Sequence, residues 1–484
     1  MSMTIDTIGH DLHYNVWLVA KLFFDEKDAV HITSTAIYEN DTVTAQTRLK
    51  FETASISDTY SFPCPGNADA HTKKRLTSAV CGMSLYRAAQ KLRPRRLPWG
   101  VMTGIRPAKP IRQMLTAGQP EEEILRYMHA LYGASEQKLR LALEVAKNEL
   151  PLIAQNGKDD IGLYIGIPFC PTRCLYCSFV STDLRRTKQY VPEYLRLLVR
   201  EIEHSARLTK AAGKRIQSIY IGGGTPTSIT AQELEVLLAA VARCFDTGSP
   251  AEYCVEAGRP DTITQEKLSV LKQYGVTRIS INPQTMHART LELIGRSHTP
   301  DDIDNAFTLA RRAGFDSINA DLIAALPGET EDDFAKTLKA IDAYSPENIT
   351  VHTMSIKRGS ALHERLGEYD LTTPDTAYNM LDLSQEFMAQ TGRAPYYIYR
   401  QKNMLGNLEN VGYSLPGHES LYNVNIMEEV QSILALGCGG SSKAVDRTGE
   451  RIERVYNFKG PIEYITRFDE ILAKKDEFFS LLDG

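Results

Sequence analysis

The sequence predicts an α/β fold: a partial (β/α)6 barrel of parallel strands, preceded by an α+β domain and followed by a mixed, mainly helical module. Three observations predict it. From Ile161 onward, apolar runs rich in β-branched residues alternate with amphipathic helical runs, and the sixth strand run ends the series. Before about residue 155 and after about Ser360 that rhythm is missing. At 484 residues the chain also exceeds what one hydrophobic core supports, so two or three domains are expected. The boundaries read as 1–155, 160–360 and 361–484.

Within the first domain, "YNVWLVAKLFF" and "TVTAQTRLKFE" have strand-like content, and "KKRLTSAVCGMSLYRAAQKL" is an amphipathic helix. A proline- and arginine-rich stretch interrupts regular structure before two more helical runs, "EEEILRYMHALYG" and "SEQKLRLALEVAKNELPLI". "AQNGKDD" is polar and turn-rich and reads as a linker.

The strand runs that follow are "IGLYIGIPF", "SIYIGGGT", "EYCVEAG", "RISINPQT", "SINADLIAALPG" and "NITVHTMSI", each but the last followed by a helical run. Repeated βα units imply parallel strands with right-handed crossovers. An open doubly wound sheet has the same linear pattern, and in either arrangement ligands sit at the C-terminal ends of the strands. In the last module, "DTAYNMLDLSQEFMAQTG" and "PIEYITRFDEILAKKDEFFSLL" read as helices and "APYYIYRQ" as a strand. This module is expected to cover the substrate side of the barrel.

Composition narrows the function. With 43% hydrophobic and 24% charged residues the chain has a soluble globular composition, and its net charge of −5 gives no basic footprint for nucleic acid. The first residues lack a signal-peptide pattern, and no run is long enough to span a bilayer, so a cytoplasmic location is expected. Eight cysteines in so long a chain make no disulfide framework. Five of them (Cys64, Cys81, Cys244, Cys254 and Cys438) are scattered and read as small core residues.

The other three, Cys170, Cys174 and Cys177, follow the first barrel strand with C-x3-C-x2-C spacing. Three thiolates on one tight loop can hold three irons of a [4Fe–4S] cluster and leave the fourth iron open. Structural zinc is the competing reading, but it favours paired knuckles, and no second pair occurs in the sequence.

"PFCPTRCLYCSF" closing the first strand and "GGGTPT" closing the second resemble the radical S-adenosylmethionine (SAM) superfamily. "VEAGRPDTIT", "NPQT" and "ADLIAALPGET" follow in that superfamily's order. The series is similar to the oxygen-independent coproporphyrinogen III oxidases and related heme chaperones. "WGVMTGIRP" and "YYIYRQKNMLGNLENVGY" look most like the HemZ-type anaerobic coproporphyrinogen dehydrogenases. The resemblance implies a [4Fe–4S] cluster whose open iron is chelated by SAM. A reduced cluster then cleaves SAM to methionine and a 5′-deoxyadenosyl radical, with an electron donor such as flavodoxin or ferredoxin as partner. It assigns SAM contacts to Gly222, Gly223, Gly224, Thr225, Glu256, Gln284, Arg296 and Asp321, and places Tyr164 as a catalytic tyrosine beside the cluster.

The residue types agree with those roles. Glycines let backbone approach a ligand, and a guanidinium fork suits a carboxylate. Glu256 in a buried strand needs a partner, and Arg278 or Arg259 would serve if no ligand did. The implied reaction is oxidative decarboxylation of two propionates of coproporphyrinogen III to give protoporphyrinogen IX. A heme-binding chaperone, or an enzyme acting on another tetrapyrrole, shares the same scaffold. A tetrapyrrole with propionates needs cations in an apolar wall, and Arg358, Arg400 and Lys402 are the candidates, with Lys357 and Lys443 beside them. The sequence departs from the best-known oxidases at Phe179, where they carry a fourth cysteine. It also lacks the tryptophan of the chaperones' "HN-x-x-YW" element.

Overall fold

The structure is a computed structural model and describes residues 3–248, 250–357, 359–401, 404–446 and 451–482. It divides into two compact units. One comprises Met1–Lys147 with Ile398–Glu409, the other Asn148–Tyr397 with Asn410–Gly484.

The first unit is a four-stranded sheet with helices on one face. The strands β1 (Thr4–Ile8), β2 (Val30–Glu39), β3 (Thr42–Phe51) and β4 (Ala54–Pro63) lie in that order, β1 parallel to β2 and the rest antiparallel. Alternation puts Val30, Ile32, Val43, Ala45 and Leu49 on the buried face. The tight β2–β3 turn falls on Asn40 and Asp41, both left-handed, a conformation these short polar residues tolerate best. The helix Ala70–Leu92 covers that face, started by Asp69, whose carboxylate accepts from the Thr72 N–H at 2.7 Å.

"YNVWLVAKLFF", expected as a strand, is instead the helix His13–Ala20 and the turn after it. Its Val16, Val19, Ala20, Phe23 and Phe24 are all buried. Packing against the long helix at Gly82, where a Cβ would sit 3.4 Å from Val19 Cγ2, overrides its β propensity.

Residues 398–409 join this unit through buried polar contacts. Glu409 accepts from Trp99 Nε1 at 2.7 Å and pairs with Lys138 at 2.7 Å, with both charged side chains 1% exposed.

The second unit is built on an eleven-stranded sheet. Its strands are β5 (Asp160–Ile167), β8 (Arg215–Gly223), β9 (Glu252–Gly258), β10 (Arg278–Gln284), β11 (Ile318–Ala324), β12 (Asn348–Thr353), β13 (Ala394–Tyr399), β14 (Asn410–Ser414), β15 (Ile433–Gly437), β16 (Ser441–Val445) and β17 (Ile452–Tyr456). Two short strands, β6 (Phe169–Cys170) and β7 (Thr182–Asp183), pair separately. The sheet order is β13-β14-β12-β11-β10-β9-β8-β5-β15-β16-β17.

The six predicted strands are neighbours in chain order and all parallel, with no reversal of order between them. That is the winding of a partial barrel, and it excludes the doubly wound alternative, which reverses at a switch point. Both faces of these strands are covered, which is why they read as continuous apolar runs. Four of the helices between them begin with a threonine N-cap, at Thr230, Thr264, Thr299 and Thr330.

Residues after Ser360 contribute both helices and strands. β14 pairs antiparallel with β12, and β15 adds a further parallel strand outside β5, matching Gly437 to Gly166. A Cβ at Gly437 (φ +80°) would sit 2.5 Å from Gly166 O, so this edge admits only glycine.

The segment around Ser420–Tyr422 meets the N-terminal ends of the parallel strands. Glu252, the first residue of β9, accepts from Ser420 Oγ at 2.7 Å and from the Tyr422 N–H at 2.9 Å. Arg278, the first residue of β10, donates to His418 O and pairs with Glu252 at 3.4 Å. Among the described residues, no helix is long and apolar enough to cross a membrane.

Candidate functional site

The C-terminal rim of the parallel strands is marked by its backbone. Gly223, Gly258, Gln284, Ala325 and Gly437, at or just past the ends of five strands, all have φ between +56° and +106°. Left-handed residues turn the chain sharply off the sheet, and Gln284 and Ala325 do so without being glycine. Such strain persists where surrounding structure over-determines it, as at binding sites.

The cysteine loop leaves β5 and is pinched at its base by β6 and β7, pairing Phe169 with Thr182 and Cys170 with Asp183. Outside the pinch it is held by Thr172 Oγ1 donating to Gly295 O (2.9 Å), the Leu175 N–H to Ile294 O (2.9 Å) and Arg173 to Gly359 O (2.8 Å). Each sulfur has a polar neighbour of its own. Thr225 Oγ1 donates to Cys170 Sγ at 3.5 Å, Arg259 Nη1 to Cys174 Sγ at 3.8 Å, and Ser181 Oγ lies 3.9 Å from Cys177 Sγ. Burial pushes the Cys170 thiol up to about 11; burial and the neighbouring Cys174 raise Cys177. Thiols that resist ionisation alone become thiolates when a cation takes them.

The glycines of "GGGT" have close neighbours within the protein. A Cβ at Gly224 would lie 2.7 Å from Phe169 O, and the Gly224 and Thr225 N–H groups donate to Ile167 O (2.7 Å) and Phe169 O (2.8 Å). Gly224 is thus required by the stem of the cysteine loop. A Cβ at Gly222 would lie 3.0 Å from the Glu256 carboxyl carbon, and one at Gly223 would lie 3.2 Å from Tyr164 Oη. These two leave room for side chains that face the mouth.

Glu256 is half-buried and pairs with neither candidate arginine. Arg278 is taken by Glu252, and Arg259 by Asp261 at 3.2 Å. Its partner is Tyr220, whose hydroxyl donates to Oε1 at 2.5 Å. Burial drives the carboxyl up to about 7, with nearby Asp321 adding to the rise and the Tyr220 hydrogen bond opposing it.

Tyr164, Tyr220 and Tyr422 form a stacked column, with ring centroids 6.3 Å and 4.5 Å apart and planes within 17°. Register makes this possible, since Tyr164 of β5 lies opposite Tyr220 of β8.

On the far side, Asp321 accepts from Asn319 at 2.7 Å, and His352 stands 3.8 Å from its other oxygen. Gln284 is 6% exposed, and its Oε1 has no partner. Arg296 donates to Asn282 O at 2.5 Å and to Tyr176 Oη at 3.2 Å, while its buried Nε is unpartnered. Sequence reasoning missed Tyr176, Tyr220, Tyr422 and the Arg259 contact. Only Tyr176, inside the cysteine motif, carried a local signal.

Residues 164–341 match the Radical SAM superfamily model. Over 99% of its length, and 98% of the relative's, the chain is 37% identical to the oxygen-independent coproporphyrinogen-III oxidase-like protein HemZ of Bacillus subtilis. The chain belongs to this radical SAM family. It is also similar to the heme chaperone HemW of Lactococcus lactis, 28% identical over 65% of this chain and 78% of that one. In fold it resembles the solved coproporphyrinogen III oxidase HemN of Escherichia coli, with a TM-score of 0.52 at 23% identity, covering 67% of this chain and 72% of that one.

Radical SAM proteins carry a [4Fe–4S] cluster and SAM, and the thiol loop here fits such a cluster. Among the described residues no three Cys, His, Asp or Glu side chains converge closely enough for a single ion. A cluster whose irons each take one thiolate needs wider spacing than an ion does, and Cys170, Cys174 and Cys177 would supply the three. Glu256, Asp321, the Gln284 Oε1 and the Arg296 Nε are the polar groups at the radical SAM rim that would hold SAM.

The expected substrate cations divide. Arg358 and Lys402 lie outside the described residues. Arg400 is a structural residue of the N-terminal unit. It is 2% exposed, donates to Met102 O and to Asn407 O at 2.7 Å, and its guanidinium stacks 5.4 Å from the Trp99 ring. Its two terminal arms meet backbone carbonyls, and its buried Nε has no partner. Lys443 pairs with Glu429 at 3.2 Å. Lys357 instead places its ammonium 5.6 Å from the ring centroid of Phe179, which is 67% exposed.

Proposed function

We propose that the protein oxidatively decarboxylates two propionates of coproporphyrinogen III, giving protoporphyrinogen IX. The observation that carries this reading is the exposed Phe179 face with Lys357 over it, directly after the cysteine motif. A flat apolar ring beside an ammonium is what a propionate-bearing macrocycle needs. The full-length relationship to a coproporphyrinogen-III oxidase-like protein supports the reading.

When bound, the cluster and SAM supply the one-electron cleavage that creates a hydrogen-atom acceptor. In each round a hydrogen atom leaves the propionate β-carbon. The bond to the carboxylate breaks to release CO2, and one electron passes to a one-electron acceptor, leaving a vinyl group. Lys357 holds the carboxylate end, Phe179 carries the ring, and the tyrosine column from Tyr164 excludes water below. Glu256, Gln284, Arg296 and Asp321 orient SAM, with Gly222 and Gly223 giving it room. A reducing cytoplasm and a flavodoxin- or ferredoxin-like donor complete the setting.

The test is an anaerobic assay of reconstituted protein with dithionite, SAM and coproporphyrinogen III. Protoporphyrinogen is the expected product, and SAM cleavage without decarboxylation would overturn the reading. Lys357→Ala is expected to raise KM for the tetrapyrrole about 10- to 100-fold, the worth of a charge-assisted hydrogen bond. The SAM Kd should not move.

Glu256 adds a pH signature. Burial pushes its carboxyl up to about 7 in the folded protein from an ordinary 4.5. The folded state therefore holds this proton where the unfolded chain has lost it, and stability falls as pH rises between those values. SAM binding has the opposite slope, because the ionised carboxylate accepts hydrogen bonds from SAM. Affinity measured by titration calorimetry should rise from pH 6 to 8 and flatten in Glu256→Gln.

A second reading, heme binding by a chaperone, is favoured by the heme chaperone relatives and by Phe179 in place of a fourth cysteine. Stoichiometric heme binding without SAM cleavage would support it. A third is a different tetrapyrrole substrate, for which SAM cleavage without decarboxylation would speak.

A further inference from the structure

Arg259 is a buried charged group at the cluster loop to which the SAM reading gives no part. It sits one residue past β9 and is 2% exposed. Its Nη1 reaches Thr172 Oγ1 at 3.1 Å, Thr172 O at 3.4 Å and Cys174 Sγ at 3.8 Å. On the other side Nε meets Asp261 Oδ1 at 3.2 Å. His298, fully buried behind Asp261 at 3.9 Å, is kept neutral, because burial and then the nearby guanidiniums push it down to about 3. Arg296 is the second guanidinium near Cys174, and SAM's carboxylate would engage it.

We propose that Arg259 sets the reduction potential of the cluster by fixing a permanent positive charge and an N–H donor against the Cys174 sulfur. Reduction adds an electron to the cluster. A buried cation and a hydrogen bond to a ligating sulfur stabilise that added charge and raise the potential. Asp261 moderates the effect, since it faces Arg259 from the side away from the sulfur. The inference rests on the cluster alone and stands whichever tetrapyrrole the protein handles.

The test is a redox titration of anaerobically reconstituted protein without SAM, read by electron paramagnetic resonance, with iron and sulfide counted per chain. At a fixed poise, Arg259→Gln should lower the reduced-to-oxidised ratio about tenfold, equivalent to about 59 mV for one electron. Arg259→Lys, which keeps the charge but loses the fork, should lower it less. Asp261→Asn should raise the ratio. A merely structural residue would change cluster loading and would not move the ratio in opposite directions. An unchanged ratio in fully loaded Arg259→Gln would overturn the proposal. If that variant loads no cluster, Asp261→Asn decides, and a ratio that stays or falls there overturns it.

Discussion

Cys174→Ala is expected to lose the broad iron–sulfur absorbance and all SAM cleavage. Removing even an outer-sphere partner of a metal ligand costs about 10–100-fold in metal affinity, and removing a ligand of a three-thiolate set costs more. The surroundings offer no substitute. The polar groups beside the Cys174 sulfur include the Arg259 and Arg296 guanidiniums, and a cation cannot ligate iron. Iron per chain after anaerobic reconstitution, with the visible spectrum, checks this directly. Persistence of the spectrum would show that the loop holds something other than a cluster built on these three thiols. The fold should survive, because the loop is held by the β6–β7 pinch and by Ile294 and Gly295 rather than by the sulfur.

Lys475→Met is expected to destabilise the barrel unit by about 3–5 kcal/mol, the cost of leaving one charge of a buried pair alone. Lys475 and Glu201 are both 0% exposed and 3.3 Å apart. Glu201 also accepts from the Gly437 N–H (2.8 Å), Asn457 Nδ2 (2.9 Å) and Tyr464 Oη (2.6 Å), and Lys475 donates to Ala435 O at 2.6 Å. This network ties the terminal helix Phe468–Leu482 and the helix Val191–Ala211 to β15, which in turn flanks the first barrel strand. Urea unfolding followed by far-UV circular dichroism would measure the loss. Glu201→Leu would not repair it, since three donors would lose their acceptor. Glu201→Gln in the same chain keeps an acceptor without the charge and should recover more than half.

These expectations depend unequally on what could be read from the chain. The six barrel strands were legible because strands buried on both faces are unbroken apolar runs. The segment "YNVWLVAKLFF" was misread because local propensity there favours strand and tertiary packing favours helix. β14 to β17 escaped notice for a different reason. Each is five residues long, and β15 finds its partner β5 from the far end of the chain. No local pattern announces a pairing of that kind.

The sequence by itself determined the alternation of barrel strands and helices and the chemistry of the cysteine loop, because both are written in neighbouring residues. The strand order that makes the winding a partial barrel came from the sheet. Strand runs need only their own apolar content, and C-x3-C-x2-C needs only one tight loop. The tertiary structure alone decided the partners of the charged groups. Glu256 faces Tyr220 because β8 and β9 are neighbours in the sheet. Arg259 faces Cys174 because the rim turn after β9 meets the loop after β5. Arg400 was claimed by the N-terminal unit, where burial directs its donors onto backbone carbonyls. A buried charge takes whichever partner strand order and register bring within reach, and that choice is made between residues far apart in the chain.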